Sequence, residues 1–252
     1  MQDFSSAIKF GAAWAARLGL APAQGRLSLV ELTGLAPEAA ALALCPAEAA
    51  CLANFAYPAR QRQWLGGRLA VKQAVLLMSG ERPPSAWADL ATVEIGVAAD
   101  NRRPLLAFGP ESRLPLHISI SHSGDWAVGL AAFLPCGVDL QIFTSRIVRV
   151  AGKFTLPAEE ARLAPLTGDD RVAALTLLWA SKESIIKSVN CRPLLTFHDL
   201  ELTGGEPLAG QSGRLHLRCR RSGPGLPASF ISAVAWDDQQ AVAVTVNPEH
   251  SP

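Results

Sequence analysis

Two long stretches of the chain carry apolar residues at helical spacing. The pattern over residues 58–78 predicts one long amphipathic helix. A second pattern predicts a helix over residues 170–188, with Asp169 or Asp170 as its N-cap. Shorter patterns predict helical segments over 37–44 and 47–55 and around Val148 and Pro157.

Short β-rich runs separated by turn residues surround these helices. They predict strands over 92–97, 117–121 and 126–133, one opening at Gly137, and then 196–202, 214–219, 230–236 and 241–246. Turns are predicted at Asn101–Pro104 and Ser123–Asp125. Helices alternating with strand runs indicate an α+β protein of two α/β halves, the second of which opens at Gly137. The halves share a loose plan of helix followed by strands, which is too weak to predict an internal repeat.

Charged residues of both signs interrupt the second helix and one strand. Glu183 and Lys187 are spaced i,i+4 and therefore share a helix face with Trp179. Asp139 ends a short apolar strand run. Two carboxylates and an ammonium suit a hard cation bound to phosphate. The alternatives are a surface Glu–Lys pair and a strand-end acid that faces water.

Composition narrows the class of protein without selecting a function. The chain of 252 residues has a formal net charge of +1, which gives no basis for general nucleic-acid or membrane-surface binding. Basic residues cluster locally, as at Arg60, Arg62 and Arg68, which suits a small polyanionic ligand. Five cysteines without a C-x-x-C pair predict neither a disulfide framework nor a zinc site, but a reducing compartment. With no apparent signal peptide or spanning helix, we expect a cytoplasmic protein.

Three segments carry a family resemblance. Ser119 to Trp126 reads Ser-Ile-Ser-His-Ser-Gly-Asp-Trp, Gly137 to Leu140 reads Gly-Val-Asp-Leu, and Trp179 to Lys187 follows Trp-x-x-Lys-Glu-Ser-x-x-Lys. In this order and spacing they resemble the 4′-phosphopantetheinyl transferases of the surfactin-synthetase-activator (Sfp-like) type. Weaker similarity extends from about Pro46 to Leu202.

The resemblance implies a fold and an activity. Members of the family consist of two similar α/β halves in a pseudo-two-fold arrangement, with the active site in the cleft between them. The resemblance therefore implies halves at 1–135 and 136–252 in this chain. They transfer the 4′-phosphopantetheine arm of coenzyme A to a serine of an apo acyl, peptidyl or aryl carrier protein, release 3′,5′-ADP and require Mg²⁺. We therefore expect a holo-[acyl-carrier-protein] synthase that is a monomer, because one chain supplies both sides of the cleft.

The resemblance also implies metal and catalytic residues. Asp139 and Glu183 match the metal-binding acids, and Lys187 matches the lysine that contacts the pyrophosphate. Glu183 is the candidate base, directly or through a water. Gln141 stands where many members carry Glu; its amide oxygen can still reach Mg²⁺, so we count it in the metal site.

Further residues are expected to bind coenzyme A. His122 matches the histidine on the 3′-phosphate side, Arg62 the basic residue before the first long helix motif, and Arg103-Pro104 the turn near the adenine. Ser121 is expected to bond phosphate or backbone, and Lys182 to be either a phosphate contact or a solvated residue. As a lone histidine, His122 could equally be a core residue.

Two departures keep other functions open. Gln141 supplies no second negative charge, and the first helix lacks the basic residues that members often carry there. Both favour the alternative of a weakened homologue that binds coenzyme A or a carrier protein without transfer. A nucleotide-phosphate hydrolase is disfavoured because no Gly-x-x-x-x-Gly-Lys loop is present.

Overall fold

The computed structural model describes residues 8–80, 84–99, 103–108 and 115–247. The chain divides into two compact units, which are described separately. Unit 1 is Met1–Ala15 with Leu20–Leu134, and unit 2 is Ala16–Gly19 with Pro135–Pro252. Within the described ranges, none of the helices is long and apolar enough to cross a membrane.

Unit 1 is built around one long helix on an antiparallel sheet. Its helices are α1 (Ala12–Arg17, which leads into unit 2), α2 (Pro37–Ala40), α3 (Pro46–Ala53), α4 (Pro58–Met78) and α5 (Trp87–Leu90). Its strands are β1 (Ile8–Phe10), β2 (Gly25–Glu31), β3 (Glu94–Val97), β4 (Pro104–Phe108), β5 (His117–Ser123) and β6 (Trp126–Ala132). Among the described residues one sheet has the order β1-β2-β6-β5, and β3 pairs with β4. The core lies between α4 and the sheet, where Leu65 and Leu69 are buried.

Unit 2 has the same plan. Its helices are α6 (Arg146–Val150), α7 (Ala164–Thr167) and α8 (Arg171–Ser188), and its strands are β7 (Cys136–Ile142), β8 (Leu200–Pro207), β9 (Ser212–Cys219), β10 (Ser229–Trp236) and β11 (Gln240–Val246). The strand order is β7-β11-β10-β9-β8, all antiparallel. The Asp170 carboxylate accepts from the Ala173 N–H at 2.9 Å and caps α8. Asp170, not Asp169, is therefore the N-cap.

The α+β class and the two long helices are confirmed, but some elements differ from expectation. Residues 197–199 form a 3₁₀ turn, not part of a strand, because the Asp199 carboxylate accepts from Thr196 N and Oγ1. The sequence did not predict β1, β2, β4, α1, α5 or α7, and the helical segment expected around Pro157 is a turn over residues 157–160. Of the predicted 101–104 turn, Asn101 and Arg102 lie outside the described residues, and Pro104 begins a strand.

One short segment from the N-terminal part of the chain is grouped with unit 2. Ala16–Gly19 belongs to unit 2. Within this segment the Arg17 guanidinium donates to the backbone oxygens of Gln211, at 2.8 Å, and of Trp236.

The strand order reveals an internal repeat that the sequence pattern did not. In each unit the strand that precedes the long helix pairs with the last strand: β2 with β6, and β7 with β11. The next neighbour is β5 in unit 1 and β10 in unit 2. Ser28 and Asp139 are each the fourth of seven residues in the first of these strands, opposite the fourth residue of the partner strand. The two residues therefore occupy equivalent places.

Candidate functional site

Asp139 lies in the middle of β7 and is 2 % exposed. This corrects the expectation that Asp139 ends its strand, and it removes the alternative of an acid that faces water. Its carboxylate accepts hydrogen bonds from Lys187 Nζ at 2.6 Å and from Gln141 Nε2 at 3.0 Å. A charge so deeply buried is stable only with such partners.

Lys187 lies in the last turn of α8 and joins the helix to β7. Its ammonium also donates to the Val138 backbone oxygen at 3.1 Å, and its side chain is 28 % exposed. The ammonium therefore pairs with a buried acid while part of the side chain reaches solvent. That position suits a group that must also meet a soluble anion.

Glu183 lies one helical turn before Lys187 and is half-buried. Burial raises the pKa of its carboxyl; Lys187 acts in the opposite direction, and Asp139 raises the pKa further. Glu183 precedes Lys187 by four residues, so it shares a face of α8 with the ammonium that contacts Asp139. Two carboxylates and one ammonium leave an excess negative charge, which attracts a cation.

A glycine allows this close approach of β7 to α8. A Cβ at Gly137 would lie 1.9 Å from the Ser184 backbone oxygen and 2.8 Å from the Ser188 nitrogen. No side chain fits between the strand and the helix here. Gly137 therefore sets the distance across which Asp139 meets Lys187.

The donor set at this point fits a magnesium ion. Within the described part of the chain, no three His, Cys, Asp or Glu side chains are grouped to hold a metal. Mg²⁺ does not require such a cage, since it commonly takes one or two carboxylates and fills its other positions with water and phosphate. Asp139 and Glu183 can supply the carboxylates. Gln141 donates to Asp139 through its NH₂ group, which leaves its amide oxygen as a third ligand.

Lys182 lies in the interior of unit 2. Its side chain is fully buried, so it is not solvated, and its ammonium donates to Glu159 Oε2 at 2.9 Å and to the Phe154 backbone oxygen at 2.8 Å. Burial lowers the pKa of Lys182, and Glu159 partly opposes that shift. With these internal partners, Lys182 is withdrawn from the coenzyme A contacts.

In unit 1, the arginine beside His122 is Arg60. Arg60 Nη1 lies 3.5 Å from His122 Nε2, and the Arg60 side chain is exposed. Arg62 is also exposed, but it follows Arg60 by two residues on the helix, so its side chain points roughly 200° away from that of Arg60. Arg60 therefore lies beside His122, and the coenzyme A contact of Arg62 stays a prediction from the resemblance.

The other unit 1 residues occupy varied environments. Ser121 is 7 % exposed and precedes His122 in β5, so their side chains point to opposite faces of the sheet. One ligand on the His122 face would not reach the Ser121 hydroxyl.

Arg103 is half-buried and its backbone oxygen accepts from Ala98, while Pro104 pairs with Val97 at the start of β4. Arg68 is structural, because it is buried beside Glu48 and over the Trp64 ring.

Sequence reasoning missed two buried acids, Glu159 and Glu48. Glu159 pairs with Lys182, and Glu48 pairs with Lys72 in unit 1. A signal was present, because Pro-Ala-Glu occurs once in each half, at 46–48 and at 157–159. A tripeptide is too short to predict a buried acid unless its lysine partner is known.

Comparisons with known proteins match the part of the chain that contains Asp139 and Glu183. The family model described as the 4'-phosphopantetheinyl transferase superfamily matches residues 135–244, fewer than half of the chain. This range contains Asp139, Gln141, Glu183 and Lys187, and it lies within unit 2.

Curated relatives match over shorter segments. A 4'-phosphopantetheinyl transferase of Bacillus subtilis is 33 % identical over 72 residues, which are 29 % of this chain and 32 % of that protein. The transferase psf-1 of Bacillus pumilus is 32 % identical over 28 % of this chain and 30 % of its own length. The transferase gsp of Aneurinibacillus migulanus is 30 % identical over 29 % and 31 %. The chain thus spans about a third of the length of the relatives it matches. The resemblance carried by the sequence motifs is confirmed for residues 135–244, which match the model of the 4′-phosphopantetheinyl transferase superfamily.

Proposed function

We propose that the protein transfers the 4′-phosphopantetheine arm of coenzyme A to a serine of an apo carrier protein and releases 3′,5′-ADP. The observation that carries the proposal is the group of Asp139, Glu183 and Lys187, two carboxylates and an ammonium inside the segment that matches the superfamily. Such a group suits a reaction at a pyrophosphate, where positioning and charge stabilisation do most of the work.

Asp139, Glu183 and the Gln141 amide would hold Mg²⁺. When bound, the ion would neutralise charge on the pyrophosphate as it builds up in the transition state. Lys187 supplies a second positive charge for the same group, and its 28 % exposure supports access to a soluble substrate.

Glu183 is the proposed base. In the reaction the carrier serine oxygen attacks the β-phosphorus and forms a new P–O bond, while the bond from that phosphorus to 3′,5′-ADP breaks. The hydroxyl proton moves to the Glu183 carboxylate, directly or through a water. Burial raises the pKa of Glu183, and a carboxylate with a raised pKa is a stronger acceptor near neutral pH.

His122 and Arg60 are proposed to bind the 3′-phosphate of coenzyme A. Both carry N–H donors, and Arg60 lies beside the histidine. Arg60 thus offers a replacement for the basic residues that the first helix lacks. The roles of Arg62 and Arg103-Pro104, and the cleft between the halves, stay predictions from the resemblance.

The partners follow from the reaction. We propose coenzyme A and an acyl, peptidyl or aryl carrier protein as substrates, and a monomer that acts in the cytoplasm. The described chain contains five free cysteines, which supports a reducing compartment.

Charge-neutral variants of the two acids test the proposal. Asp139→Asn and Glu183→Gln keep the side-chain size but remove a metal ligand's charge, so each should lower the transfer rate by at least about 100-fold. Asp169→Asn, an exposed acid just before α8, is the matched control and should keep the wild-type rate. Circular dichroism checks the fold of each variant. Full transfer by folded Asp139→Asn would refute the site, and coenzyme A binding without transfer by the wild type would favour the weakened homologue.

A further inference from the structure

Lys182, the residue before Glu183, forms an ion pair in the interior of unit 2. Lys182 and Glu159 are both 0 % exposed, and their charged atoms are 2.9 Å apart. Glu159 also accepts from the backbone nitrogens of Leu202 at 2.7 Å and Leu156 at 2.6 Å. Together with the bond from Lys182 to Phe154, the pair connects α8 to the segment before it and to β8.

The backbone next to Glu159 is strained. Ala158 has φ = 67°, a left-handed conformation that costs an L-residue roughly 1–2 kcal/mol. Such a conformation persists only where surrounding bonds determine it. The four hydrogen bonds made by Lys182 and Glu159 hold this backbone in place. They therefore fix the position of Glu159 despite the conformational strain at Ala158.

Unit 1 contains the same set of bonds. Lys72 on α4 donates to Glu48 and, at 2.7 Å, to the Ala43 backbone oxygen, five residues before Glu48, as Phe154 stands five before Glu159. Glu48 accepts from Cys45, three residues earlier, and from Ile95 of β3, as Glu159 accepts from Leu156 and from Leu202 of β8. The repeat therefore includes the buried pair as well as the strand order.

The residues next to the two pairs differ in charge. Lys182 is followed by Glu183, which shares a face of α8 with the Lys187 ammonium that contacts Asp139, whereas Lys72 is followed by Gln73. Gln73 accepts a hydrogen bond from Ser28, the residue equivalent to Asp139. Unit 1 thus has the same scaffold with a neutral pair in place of the acids, and it provides an internal control.

We propose that the Lys182–Glu159 pair is a positioning unit that fixes the rotation of α8 and so holds Glu183 against Asp139 for metal binding. The inference rests on the proposed metal site. A carboxylate about 6 Å from the helix axis moves about 2 Å when the helix turns by 20°, which is enough to break a Mg²⁺ ligand set. An apolar pair would pack as well but would not fix one rotation, because its contacts have no direction.

The experiment compares two double variants. Glu159→Gln with Lys182→Met removes both charges of the unit 2 pair and leaves no lone buried charge; Glu48→Gln with Lys72→Met does the same in unit 1. Mn²⁺, with coenzyme A present, is titrated against each by electron paramagnetic resonance, and thermal unfolding is recorded alongside. Residues that orient metal ligands typically change affinity 10- to 100-fold, so the unit 2 variant should bind Mn²⁺ at least about tenfold more weakly. The unit 1 variant should stay within about twofold of the wild type.

A milder variant covers the case in which the double variant does not fold. Glu159→Asp keeps the charge but shortens the reach, so it should weaken Mn²⁺ binding about threefold to tenfold while the protein remains folded. Wild-type affinity in a folded unit 2 variant would overturn the positioning role, as would equal losses in the two double variants. Asp139→Asn separates this result from failure of the site itself: if the wild type binds Mn²⁺ no better than Asp139→Asn does, the metal site is wrong and the positioning role falls with it.

Discussion

The sharpest prediction concerns Gly137, where β7 approaches α8. In Gly137→Ala the new Cβ would lie 1.9 Å from the Ser184 oxygen, and real Cβ atoms essentially never come closer than 3.0 Å. The strand and the helix must therefore separate by about 1.1 Å along this contact. The opposing atoms belong to helix backbone, so no side chain can rotate away to relieve the clash.

This separation has two measurable consequences. Overpacking of this kind costs about 1–3 kcal/mol, and each kcal/mol lowers the Tm by roughly 2–4 °C in a chain of this size. Asp139 follows Gly137 by two residues on the same strand, so it moves away from Lys187 and Glu183. A displacement near 1 Å in a catalytic group can cost about 100-fold in rate.

The assay measures thermal unfolding and the initial rate of phosphopantetheine transfer at saturating Mg²⁺. Gly152→Ala and Gly204→Ala are the matched controls in unit 2, because a Cβ at either position meets nothing within 4 Å. Both should keep a Tm and a rate close to the wild type. A Gly137→Ala protein with unchanged Tm and a rate within about twofold would refute the reasoning.

Three further predictions concern single side chains. Gln141→Glu adds a third carboxylate beside Asp139 and should lower the Mg²⁺ concentration for half-maximal rate; an unchanged Mg²⁺ dependence would remove Gln141 from the metal site. Arg60→Ala should weaken calorimetric binding of coenzyme A much more than binding of 3′-dephospho-coenzyme A, whereas Arg62→Ala should change both less; equal losses for the two ligands would contradict a 3′-phosphate contact. Asp170→Ala removes the N-cap of α8 and should reduce the unfolding free energy in urea by about 1 kcal/mol; no change would mean that water replaces the cap.

Elements with strong periodicity could be predicted from the sequence. The 58–78 pattern gives the bounds of α4, and the 170–188 pattern differs from α8 by one residue. Strand β2 was missed because Arg26 and Ser28 interrupt its apolar residues, yet Ser28 is fully buried. A buried hydroxyl is stable there because it donates to Gln73, a partner 45 residues away that no local pattern reveals.

The candidate site was also predictable only where local sequence spacing determines it. The i,i+4 spacing of Glu183 and Lys187 fixes their common helix face, and motif order indicated that Asp139 acts with them. The burial of Lys182 could not be predicted, because a lysine in an amphipathic helix is normally exposed and its partner Glu159 lies 23 residues earlier. Arg60 was not assigned to coenzyme A because the linear motif does not distinguish it from Arg62. The two side chains nevertheless lie on opposite sides of α4.

The central claim is phosphopantetheine transfer, and the mass of a carrier protein tests it most directly. The wild-type protein is incubated with coenzyme A, Mg²⁺ and apo carrier proteins of fatty-acid, polyketide and peptide type, with and without a chelator, and the intact mass of each carrier is recorded. At least one carrier should gain the mass of a single phosphopantetheine arm, and chelation should stop the gain. Unmodified carriers throughout, from a protein that still binds coenzyme A, would contradict the account.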